Sequence, residues 1–484
     1  MDGWVNKFYL GDNLTILREH VPDESVDLIY LDPPFNSNAT YNVLFKEPSG
    51  EASQAQITAF EDTWHWGLES ERAYREVVTE GPRDLANLLQ ALRAFLGQND
   101  MMAYLTMMSI RLVELHRVLK PTGSLYLHCD PTASHYIKLL LDAVFGAERF
   151  RREIVWRSGW VSGFKSRASN WIRNHDTILY YTRGARFVFN KEAAYQPHPE
   201  GYQRRGGGAN PRGVALDDVW TDVYSPWIMS FSREKLGYPT QKPEALLERI
   251  IQVSSNEGDV VLDPFCGCGT AVAVAERLNR RWIGIDITHL AIALMKHRLH
   301  DAFSEELSPY EVLGAPTTVE DARALLDEKD GRFQFEWWAL GLIDARPAHD
   351  KKKGADTGID GYINFFDDGS GKAKTIIVQV KSGNVTASQI RDLKGVLERE
   401  KAPIGAFITL EAPTKPMVKE AAAAGLYEPP SLPGKRYPRI QILTIEDLLA
   451  GHARLEFPRL AEATFQRAKR ASKDRPVEQG QLGM

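Results

Sequence analysis

Short apolar runs alternate with longer segments of helical spacing along the first 150 residues. The run at 26–31 (VDLIYL) predicts a buried strand, and apolar residues spaced three and four apart from Asp84 to Leu119 predict helical structure. A second strand is expected at 124–128, followed by a helix from Ile137 to Phe145. This alternation of strands and helices is typical of a layered α/β sheet.

The same alternation returns in the second half of the chain. We expect two strands, each followed by a helix, at 260–262, 270–278, 282–285 and 290–299. A second α/β unit is predicted from Phe333 to about Phe457, after a charged and irregular stretch. The polar residues from Arg467 to the end are expected to fray.

Residues 151–235 differ in composition from the rest of the chain. They contain 14 Lys and Arg against 8 Asp and Glu, a net charge of +6 in a chain of −5, and 14 of the 48 aromatic residues. One interpretation is a solvated insertion with a small core of its own. The other is a nucleic-acid interface, where cationic side chains meet phosphates and aromatic rings stack on bases. Composition alone leaves both open.

The overall composition limits the class of protein. A chain of 484 residues is long enough for two or three domains, and 43% hydrophobic with 25% charged residues is ordinary for a globular protein. Three cysteines cannot build a disulfide scaffold or a zinc finger. No apolar stretch reaches the roughly 18 residues of a membrane helix, and the N-terminus lacks a signal-peptide pattern. We therefore expect a cytoplasmic protein without a membrane partner.

A glycine-containing turn follows the strand at 260–262. It opens a helix and reads Asp263-Pro264-Phe265-Cys266-Gly267-Cys268-Gly269-Thr270. Glycines there let a ligand approach the backbone, and the free amides of a helix N-terminus suit an anionic group. Asp286 ends the next strand, where an acid commonly binds ribose hydroxyls. These features predict a nucleoside-containing cofactor, and the absence of G-x-G-x-x-G spacing disfavours a nicotinamide one.

A second turn, Asp32-Pro33-Pro34-Phe35, ends the strand at 26–31. Two prolines stop the strand and impose an irregular turn. The Asp32 carboxylate and the Pro33 carbonyl could both accept hydrogen bonds from an exocyclic amine, and Phe35 could stack on a base taken out of its duplex. The alternative is a structural Asp-Pro turn, which the triplet by itself favours.

Five sequence blocks carry a family resemblance. They are, in chain order, DLIYLDPPF, RVLKPTGSLYLHCD, RNHDTILYYT, YPTQKPEALLERI and DPFCGCGTA. They resemble the DNA amino-methyltransferases that use S-adenosylmethionine, over residues 8 to about 300. The order, with DPPF before DPFCGCGT, resembles the β class. The fold implied is a Rossmann-like methyltransferase sheet with an inserted target-recognition region.

The resemblance implies roles for particular residues. Asp32, Pro33, Pro34 and Phe35 resemble the catalytic loop that holds the target amine and base. The cofactor set implied is Asp12, Thr240, Lys242, Pro243, Asp263, Phe265, Gly267, Gly269, Thr270 and Asp286. Within that set, Asp12 resembles the residue near the adenine, and Thr240, Lys242 and Pro243 resemble the block at the methionine end. Cys268 departs from the family, which often has serine there, and an exposed thiol would be sensitive to oxidation.

The mechanism implied is direct displacement on double-stranded DNA. The flipped base would attack the sulfonium methyl in line, without a covalent enzyme intermediate, catalytic cysteine or metal. DPPF favours the adenine amine over the cytosine amine, and cytosine stays as the alternative. A homodimer and further restriction or defence subunits stay open as partners. So do an RNA substrate and a DNA-binding module with a degenerate methylase.

The C-terminal unit carries a second, weaker resemblance. Gly358-Ile359-Asp360-Gly361 and Gln379-Val380-Lys381 resemble the Mrr-type branch of the PD-(D/E)xK restriction endonucleases. On that resemblance Asp360 and Gln379 are ligands of Mg²⁺, Lys381 positions water or phosphate, and Glu336 assists. The alternatives are a chance arrangement, an inactive DNA clamp and an active nuclease, and the residues do not decide among them.

The combined expectation is an α/β methyltransferase fused to a smaller α/β restriction-endonuclease-like domain. Such a protein would serve restriction–modification or phage defence. The expected parts are a catalytic part, a target-recognition region, a cofactor-binding part, a linker, the nuclease-like domain and a polar tail, at 1–150, 151–235, 236–305, 306–332, 333–457 and 458–484.

Overall fold

The computed structural model describes most of the chain. The described residues are 4–34, 40–46, 52–61, 65–159, 169–198, 210–225, 234, 241–327, 331–348, 358–367, 373–458 and 461–462. For 40–46, 52–61 and 461–462 the description covers the backbone only.

The described part of the first 313 residues forms thirteen strands and eight α-helices. In chain order they are β1 (Asn6–Leu10), α1 (Asn13–His20), β2 (Val26–Leu31), β3 (Thr40–Lys46), β4 (Ala52–Glu61), α2 (Leu68–Glu80), α3 (Arg83–Leu96), α4 (Asp100–Val118), β5 (Leu119–Cys129), α5 (Ser134–Phe145), β6 (Phe150–Arg157), β7 (His175–Thr182), β8 (Tyr195–Gln196), β9 (Val214–Ala215), β10 (Val219–Trp220), α6 (Glu244–Ser254), β11 (Val260–Asp263), α7 (Thr270–Arg277), β12 (Arg281–Asp286), α8 (His289–Phe303) and β13 (Tyr310–Leu313).

The rest of the described chain forms a second set of elements. These are α9 (Val319–Leu326), α10 (Gly331–Gly341), β14 (Arg346–Pro347), β15 (Gly361–Phe366), β16 (Lys374–Lys381), α11 (Ala387–Arg399), β17 (Ile404–Thr409), α12 (Lys415–Ala423), β18 (Leu426–Tyr427), β19 (Tyr437–Pro438), β20 (Ile440–Thr444), α13 (Ile445–Leu449) and β21 (Ala461–Glu462).

A nine-stranded mixed sheet organises the first domain. Its order is β10-β6-β7-β5-β2-β11-β12-β1-β13. The strands from β5 to β13 along this order are parallel to one another, and β7 is antiparallel to both β5 and β6. The expected α/β class is therefore confirmed. Because β2, β11, β12 and β1 are parallel neighbours, their carboxyl ends share one edge of the sheet.

Helices cover both faces of this sheet. Helices α1 to α5 bury one face around side chains such as Leu31 and Leu127. Helices α6, α7 and α8 bury the other face around Leu28, Tyr126 and Trp282. Alternate residues of β2 enter different cores, since Leu28 and Tyr30 belong to one and Ile29 and Leu31 to the other. The uninterrupted apolar run at 26–31 thus reflects burial on both faces.

The structure differs from two of the predicted elements, a helical segment and a strand. The helical segment from Asp84 to Leu119 is divided into α3 and α4, because Gly97 adopts φ 74° and the Asn99 side chain caps a new helix by accepting from the Met102 amide at 2.9 Å. The strand expected at 124–128 begins earlier, at Leu119. A bulge absorbs residues 120–123, since Val26 pairs with Leu119 whereas Leu28 pairs with Ser124.

The segment 151–235 is less of an insertion than its composition indicates. Strands β6, β7 and β10 belong to the main sheet, and Trp156 and Tyr180 pack in the same core as Tyr126. The interpretation of a separate small core is therefore wrong for these strands. Their aromatic residues reflect burial in the shared core. The other described parts of the segment, at 158–159, 169–174, 183–198, 210–218, 221–225 and 234, contain the two-stranded β8–β9 pair.

The segment 306–332, expected to be a linker, contains regular structure. Strand β13 pairs in parallel with β1 at the edge of the nine-stranded sheet. Helix α9 contributes Ala322 and Leu325 to the core of the second domain. The high charge of this segment masked its two short apolar patterns. In the expected polar tail, β21 pairs with β15.

The second domain is built on a smaller mixed sheet. Its order is β14-β15-β16-β17-β20, with β21 also paired to β15. Strands β16, β17 and β20 are parallel, and β15 is antiparallel to β16. Helices α9 and α10 bury one face, whereas α11 and α12 bury the other. This confirms a second, smaller α/β domain.

Among the helices that the structure describes, none combines the length and the apolar character that crossing a membrane requires.

Candidate active site

Four aspartates lie where neighbouring parallel strands of the large sheet end. Asp32 follows β2, Asp263 ends β11, Asp286 ends β12, and Asp12 lies two residues after β1. These strands are adjacent in the sheet, although the chain visits them far apart in sequence. The topology therefore brings together four acids that lie far apart in the sequence.

The four acids line one cavity of about 250 Å³. The predicted site residues on its wall are Asp12, Asp32, Pro34, Lys242, Asp263, Phe265, Gly267, Thr270 and Asp286. The wall also includes residues that the sequence did not single out, among them Asn13, Tyr30, Arg111, Gln241, Ile287 and Thr288. The structure thus brings most of the predicted set into contact with a single space.

Three further predicted residues adjoin the cavity and two are undescribed. Pro33 is buried between Asp32 and Pro34, Pro243 is the N-cap of α6, and Gly269 is the N-cap of α7. Phe35 and Thr240 lie outside the described residues. The role of each of these residues stays a prediction.

Backbone bonds to β12 hold the glycine turn in place. The Cys266 amide donates to the Ile285 carbonyl at 3.0 Å, and the Gly269 amide donates to the Cys266 carbonyl at 2.8 Å. Gly267 and Gly269 have φ of 52° and 73°, which is left-handed backbone that favours glycine. A Cβ on Gly269 would also lie 2.7 Å from Cγ of Met295. The turn therefore requires glycine for both conformation and space.

The Asp286 carboxylate is fixed by three donors. It accepts from the Gly267 amide at 2.8 Å, from the Thr288 amide at 2.9 Å and from the Thr288 hydroxyl at 3.0 Å. These bonds tie the end of β12 to the glycine turn and to the start of α8. Burial nevertheless raises the pKa of Asp286. The side chain remains part of the cavity wall, so its oxygens can still accept from a ligand's hydroxyls.

Asp263 is more deeply enclosed than the other acids. Its carboxyl accepts from the Phe265 amide at 3.1 Å, which closes the first bend of the turn. Burial, with the nearby Asp32 and Asp286 charges, raises the pKa of Asp263 to about 8. At neutral pH this side chain is therefore mostly protonated, which limits the negative charge collected in the cavity.

Asp32 forms a salt bridge with Lys242, contributed from the segment that leads into α6. Both side chains are largely buried, with 16% and 11% of their surfaces exposed. The pair joins the DPPF turn to the block that, by the family resemblance, lies at the methionine end of the cofactor. These two residues are 210 positions apart in the chain.

Arg111 of α4 holds the Asp12 end of the cavity. Its guanidinium forms a salt bridge with Asp12 and donates to Oδ1 of Asn13 at 2.6 Å. Asn13 in turn donates to the Pro264 carbonyl at 2.8 Å. The three side chains connect α4, the start of α1 and the glycine turn. No sequence motif marked Arg111, because it lies within the apolar periodicity of α4.

A network of buried charged side chains connects the cavity residue Thr270 to helices α6, α7 and α8. Arg298 of α8 donates to the Thr270 hydroxyl at 2.9 Å and to Glu244 of α6 at 2.8 Å, and Arg277 of α7 also donates to Glu244 at 2.9 Å. Burial would raise the pKa of Glu244, but the two arginines lower it. A buried carboxylate between two guanidiniums is ionised and costly to disrupt. The network therefore fixes the three helices relative to one another.

A second buried polar chain leads away from Tyr30. The Tyr30 hydroxyl lies 3.2 Å from Nδ1 of His128 in β5, and Nε2 of His128 lies 3.2 Å from the carboxylate of Asp176 in β7. Arg173 forms salt bridges with both Asp176 and Asp130. His128 and Asp176 fall within blocks that carry the family resemblance, but no role was predicted for either. The signal available in the sequence was a histidine at the end of an apolar strand.

Cys268, where the family often has serine, is buried. Burial raises the pKa of the Cys268 thiol, which disfavours the reactive thiolate. Its sulfur lies 3.7 Å from the Thr270 hydroxyl, within hydrogen-bonding distance for sulfur. The condition for oxidation sensitivity, an exposed thiol, is not met.

The cavity residues fit S-adenosylmethionine. Asp286 offers fixed carboxylate oxygens for a vicinal diol, and the cavity wall includes Phe265, Leu247 and Ile287, whose side chains offer apolar contact for a heterocycle. Lys242 supplies a cation at the Asp32 end. The left-handed glycines keep the space clear of Cβ atoms. The donor and acceptor set therefore matches the ribose, adenine and carboxylate of this cofactor.

Three of the C-terminal candidate residues, Asp360, Gln379 and Lys381, meet at one end of the smaller sheet. Asp360 precedes β15, and Gln379 and Lys381 lie on β16. Asp360 accepts from the Val380 amide at 2.7 Å and lies 3.6 Å from the Lys381 ammonium. The Gln379 side-chain amide donates to the Gly358 carbonyl. Glu336 lies on α10, half-buried.

This arrangement does not fit the expected Mg²⁺ site. Across the part of the chain that the structure describes, no group of three His, Cys, Asp or Glu side chains is placed to hold a metal ion. The Asp360 carboxylate already interacts with a backbone amide and an ammonium. The Gln379 amide nitrogen is bonded to backbone. Mg²⁺ prefers several oxygen ligands in octahedral geometry, which one carboxylate and one amide oxygen do not supply.

Each of the two domains matches a known protein family. Residues 334–450 match the family described as NACHT-associated inactive restriction endonuclease 1. This match does not show that the domain is of the Mrr type.

The first domain is similar to type II methyltransferase M.BamHI of Bacillus amyloliquefaciens, 30% identical over 311 residues that cover 61% of this chain and 57% of that protein. It is also similar to type II methyltransferase M.HpaI of Haemophilus parainfluenzae, 35% identical over 198 residues that cover 40% of this chain and 58% of that protein.

This chain thus spans somewhat more than half the length of these two relatives. Among solved structures, M1.HpyAVI in complex with SAM is matched with a TM-score of 0.35 at 18% identity, covering 60% of this chain and 97% of that one. Residues 26–297, more than half of the sequence, match the N6/N4 family described as DNA methylase. The chain therefore belongs to the N6/N4 DNA methylase family.

Proposed function

We propose that this protein transfers a methyl group from S-adenosylmethionine to the exocyclic amine of an adenine flipped out of double-stranded DNA. The observation that carries the proposal is the position of Asp32. It lies in the wall of the same cavity as Asp286 and the glycine turn. A carboxylate that accepts from a base amine and a site for a nucleoside cofactor thus share one space.

The cavity residues divide between binding and reaction. S-adenosylmethionine would supply an electrophilic methyl group on a positively charged sulfur. Asp286 would accept from its ribose hydroxyls, Asp12 would lie near its adenine, and Lys242 would bind its carboxylate. Phe265 and Ile287 would exclude water from the heterocycle. Orientation of the two reactants provides most of the acceleration in a displacement of this kind.

Asp32 and the Pro33 carbonyl would hold the target amine. Accepting both N–H bonds increases electron density on the nitrogen and directs its lone pair at the methyl group. The proton released after transfer would pass to Asp32. Lys242 contacts Asp32 directly, so the ammonium would stabilise the carboxylate while the amine binds. The aromatic ring of Phe35 would stack on the extruded base.

Adenine is favoured over cytosine by the DPPF loop as a whole. In the family this loop is associated with the adenine amine, whereas SPPY-like loops are more usual for the cytosine amine. The N6/N4 family includes both specificities by its name. Methylation of the cytosine amine is therefore the competing assignment.

We place DNA recognition in the loops of segment 151–235. Strands β6, β7 and β10 belong to the main sheet, which leaves the surface residues between them for contact with DNA. Trp171 has 98% of its surface exposed and lies two residues from Arg173, which two carboxylates anchor. An exposed ring beside cationic residues suits stacking on a base next to phosphates.

For the C-terminal domain we propose DNA binding without cleavage. The ion pair of Asp360 with Lys381 uses the two charged groups that a PD-(D/E)xK nuclease needs for metal and water. The similarity to a family described as inactive is consistent with this. The whole chain would act in the cytoplasm, in a restriction–modification or defence system, with further subunits as candidate partners.

The experiment is methyl transfer to DNA of unbiased sequence. Purified full-length protein is incubated with isotope-labelled S-adenosylmethionine and unmethylated genomic DNA, and the digested nucleosides are separated by mass spectrometry. We expect labelled N6-methyladenine. Label in N4-methylcytosine would reassign the base. Cofactor binding without any labelled nucleoside would leave a DNA-binding module with a degenerate methylase.

A further inference from the structure

The hydrogen-bonded chain from Tyr30 to Asp176 lies behind the reacting end of the cavity. Tyr30 is on β2, two residues before Asp32, and both line the same space. His128 is fully buried on the neighbouring strand β5, and Asp176 is on β7 beyond it. The chain therefore crosses three adjacent strands and ends at the wall of the cavity.

The hydrogen bonds of the chain take one direction when the imidazole of His128 is neutral. Burial would raise the pKa of Asp176, but the His128 hydrogen bond and the Lys242 and Arg173 charges lower it, so its carboxylate is ionised and only accepts. Nε2 of His128 must then donate to it. In a neutral imidazole this leaves Nδ1 as an acceptor.

Tyr30 supplies the proton that Nδ1 of His128 accepts. Burial, with the Asp32, Asp263 and Asp176 charges, raises the pKa of Tyr30 well above its usual range, so its hydroxyl keeps its proton. With that proton directed at His128, the lone pairs of the phenolic oxygen have no competing donor from the imidazole. Tyr30 lines the cavity, and on this arrangement its oxygen is left with lone pairs that can accept from a ligand.

We propose that Tyr30, oriented by His128 and Asp176, presents an oxygen lone pair to the sulfonium side of the cofactor and so favours S-adenosylmethionine over S-adenosylhomocysteine. The inference rests on the proposed function, and it concerns residues to which the resemblance gave no role. Tyr30 lies at the Asp32 end of the cavity, where methyl transfer would occur. A methyl group on a positive sulfur has polarised C–H bonds that such an oxygen accepts weakly. The demethylated product has neither the charge nor the methyl group.

Asp176 would act through His128 as a positioning residue. One oxygen of Asp176 accepts from Arg173 and the other faces His128. Asp176→Asn would keep the oxygen toward Arg173 and turn its NH₂ toward Nε2 of His128. The imidazole would then carry its proton on Nδ1 and donate to Tyr30, whose own proton would turn to the cavity. An acceptor would become a donor facing a positive charge.

The test is the ratio of two dissociation constants. S-adenosylmethionine and S-adenosylhomocysteine are each titrated into the full-length wild type, Tyr30→Phe and Asp176→Asn by calorimetry. We expect Tyr30→Phe to reduce the preference for the methylated form about two- to fivefold, the size of a weak hydrogen bond. Asp176→Asn should reduce it at least as much, although it preserves shape.

A matched control lies on the opposite face of the sheet. Asp142 accepts from the Tyr181 hydroxyl at 2.7 Å and from Lys138, so Asp142→Asn also removes a carboxylate bonded to a tyrosine. We expect it to leave the ratio unchanged. Equal weakening of both ligands in Tyr30→Phe, or an unchanged ratio, would overturn the proposal.

The test still gives a decision if Asp176→Asn does not fold or if the wild type binds neither compound. If Asp176→Asn does not fold, as judged by its thermal transition, Tyr30→Phe decides alone because it retains the packed ring. If the wild type binds neither compound, the proposed cofactor itself is wrong and the inference falls with it. A wild type that binds both, with an unaltered ratio in Tyr30→Phe, rejects the role of Tyr30 and leaves the methyltransferase proposal standing.

Discussion

Both domains of this protein place acids at the ends of strands, yet the surroundings of those acids differ. In the first domain Asp286 is held by backbone and hydroxyl donors while it still lines a cavity. In the second, Asp360 pairs with Lys381 and accepts from the Val380 amide, and Gln379 is bonded to backbone. The same pattern of residues on strands can therefore build a ligand site or a closed polar cluster.

The difference lies in how many strands converge on the site. The nine-stranded sheet brings four parallel strand ends to one edge, with a glycine turn that keeps Cβ atoms away. At the candidate residues of the second domain, one strand carries Gln379 and Lys381 and its antiparallel neighbour begins after Asp360. Because fewer strand ends converge there, each buried polar group forms its hydrogen bond or ion pair with an immediate neighbour.

Asp32→Ala should produce the largest effect, and it tests whether the first domain is an active site at all. Removing the acceptor for the target amine is expected to lower methyl transfer by at least about 100-fold, the scale seen for losing one preorganised polar group. Cofactor affinity should change little, because Asp286 and the glycine turn are untouched. Transfer of label to DNA and calorimetric binding separate the two effects. Full activity in this variant would remove Asp32 from the reaction.

Asp286→Ala tests the cofactor half of the same cavity. The variant loses the acceptor proposed for the ribose and leaves the Gly267 amide without its carboxylate partner. We expect roughly ten- to hundredfold weaker binding of S-adenosylmethionine, from hydrogen bonds worth about 1–3 kcal/mol. Calorimetry measures the change directly. Unchanged affinity would exclude Asp286 from the site.

Arg111→Ala should weaken cofactor binding about five- to tenfold, by releasing Asp12 and Asn13 from their fixed positions. Arg18 provides the control, because it lies on the same helix as Asn13 and forms salt bridges with Glu76 and Glu114 away from the cavity. Equal losses in Arg111→Ala and Arg18→Ala would mean that α1 is merely destabilised.

The raised pKa of Asp263 predicts a pH dependence of stability in the first domain. Its carboxyl has a pKa of about 8 when folded and about 3.9 when unfolded, so between these values the folded state binds more protons. Stability should therefore fall as pH rises through this window, by up to about 1.4 kcal/mol per pH unit. Denaturant midpoints from pH 5 to pH 8 should show a smaller decline for Asp263→Asn. Identical slopes would contradict the assigned pKa.

The smallest expected effect is in the second domain. Lys381→Ala should leave methylation unchanged, and neither it nor the wild type should cut unmethylated supercoiled plasmid with Mg²⁺, with or without S-adenosylmethionine. Gel electrophoresis of the plasmid gives the result. Nicking by the wild type that disappears in Lys381→Ala would establish a nuclease and erase the contrast between the domains.

Local patterns along the chain were enough to predict several elements. The apolar run at 26–31 corresponds to β2, and the strand, turn and helix around Asp263 to Thr270 were placed almost to the residue. Prolines and glycines fix such turns through their own backbone limits, whatever the distant chain does. The resemblance of the sequence blocks to a known family further predicted that the DPPF turn and the glycine turn belong to one site.

Distant pairing was beyond what the sequence pattern could determine. The charged segment at 306–332 gave no sign that β13 would complete the sheet beside β1. The basic and aromatic segment at 151–235 gave no sign that β6 and β7 would join the same sheet. Strand pairing depends on the partner's surface, which periodicity within one segment does not encode.

The sequence by itself determined the two-domain α/β organisation, the DPPF and glycine turns and the acids beside them, because these depend on neighbouring residues. Only the tertiary structure decided which distant groups hold those acids. Asp32 meets Lys242 across 210 positions, and Arg111 and His128 reach their partners across 98. Such contacts require the folded sheet, since no local rule links residues so far apart. The closed Asp360–Lys381 pair was decided in the same way, by how two antiparallel strands set their side chains against each other.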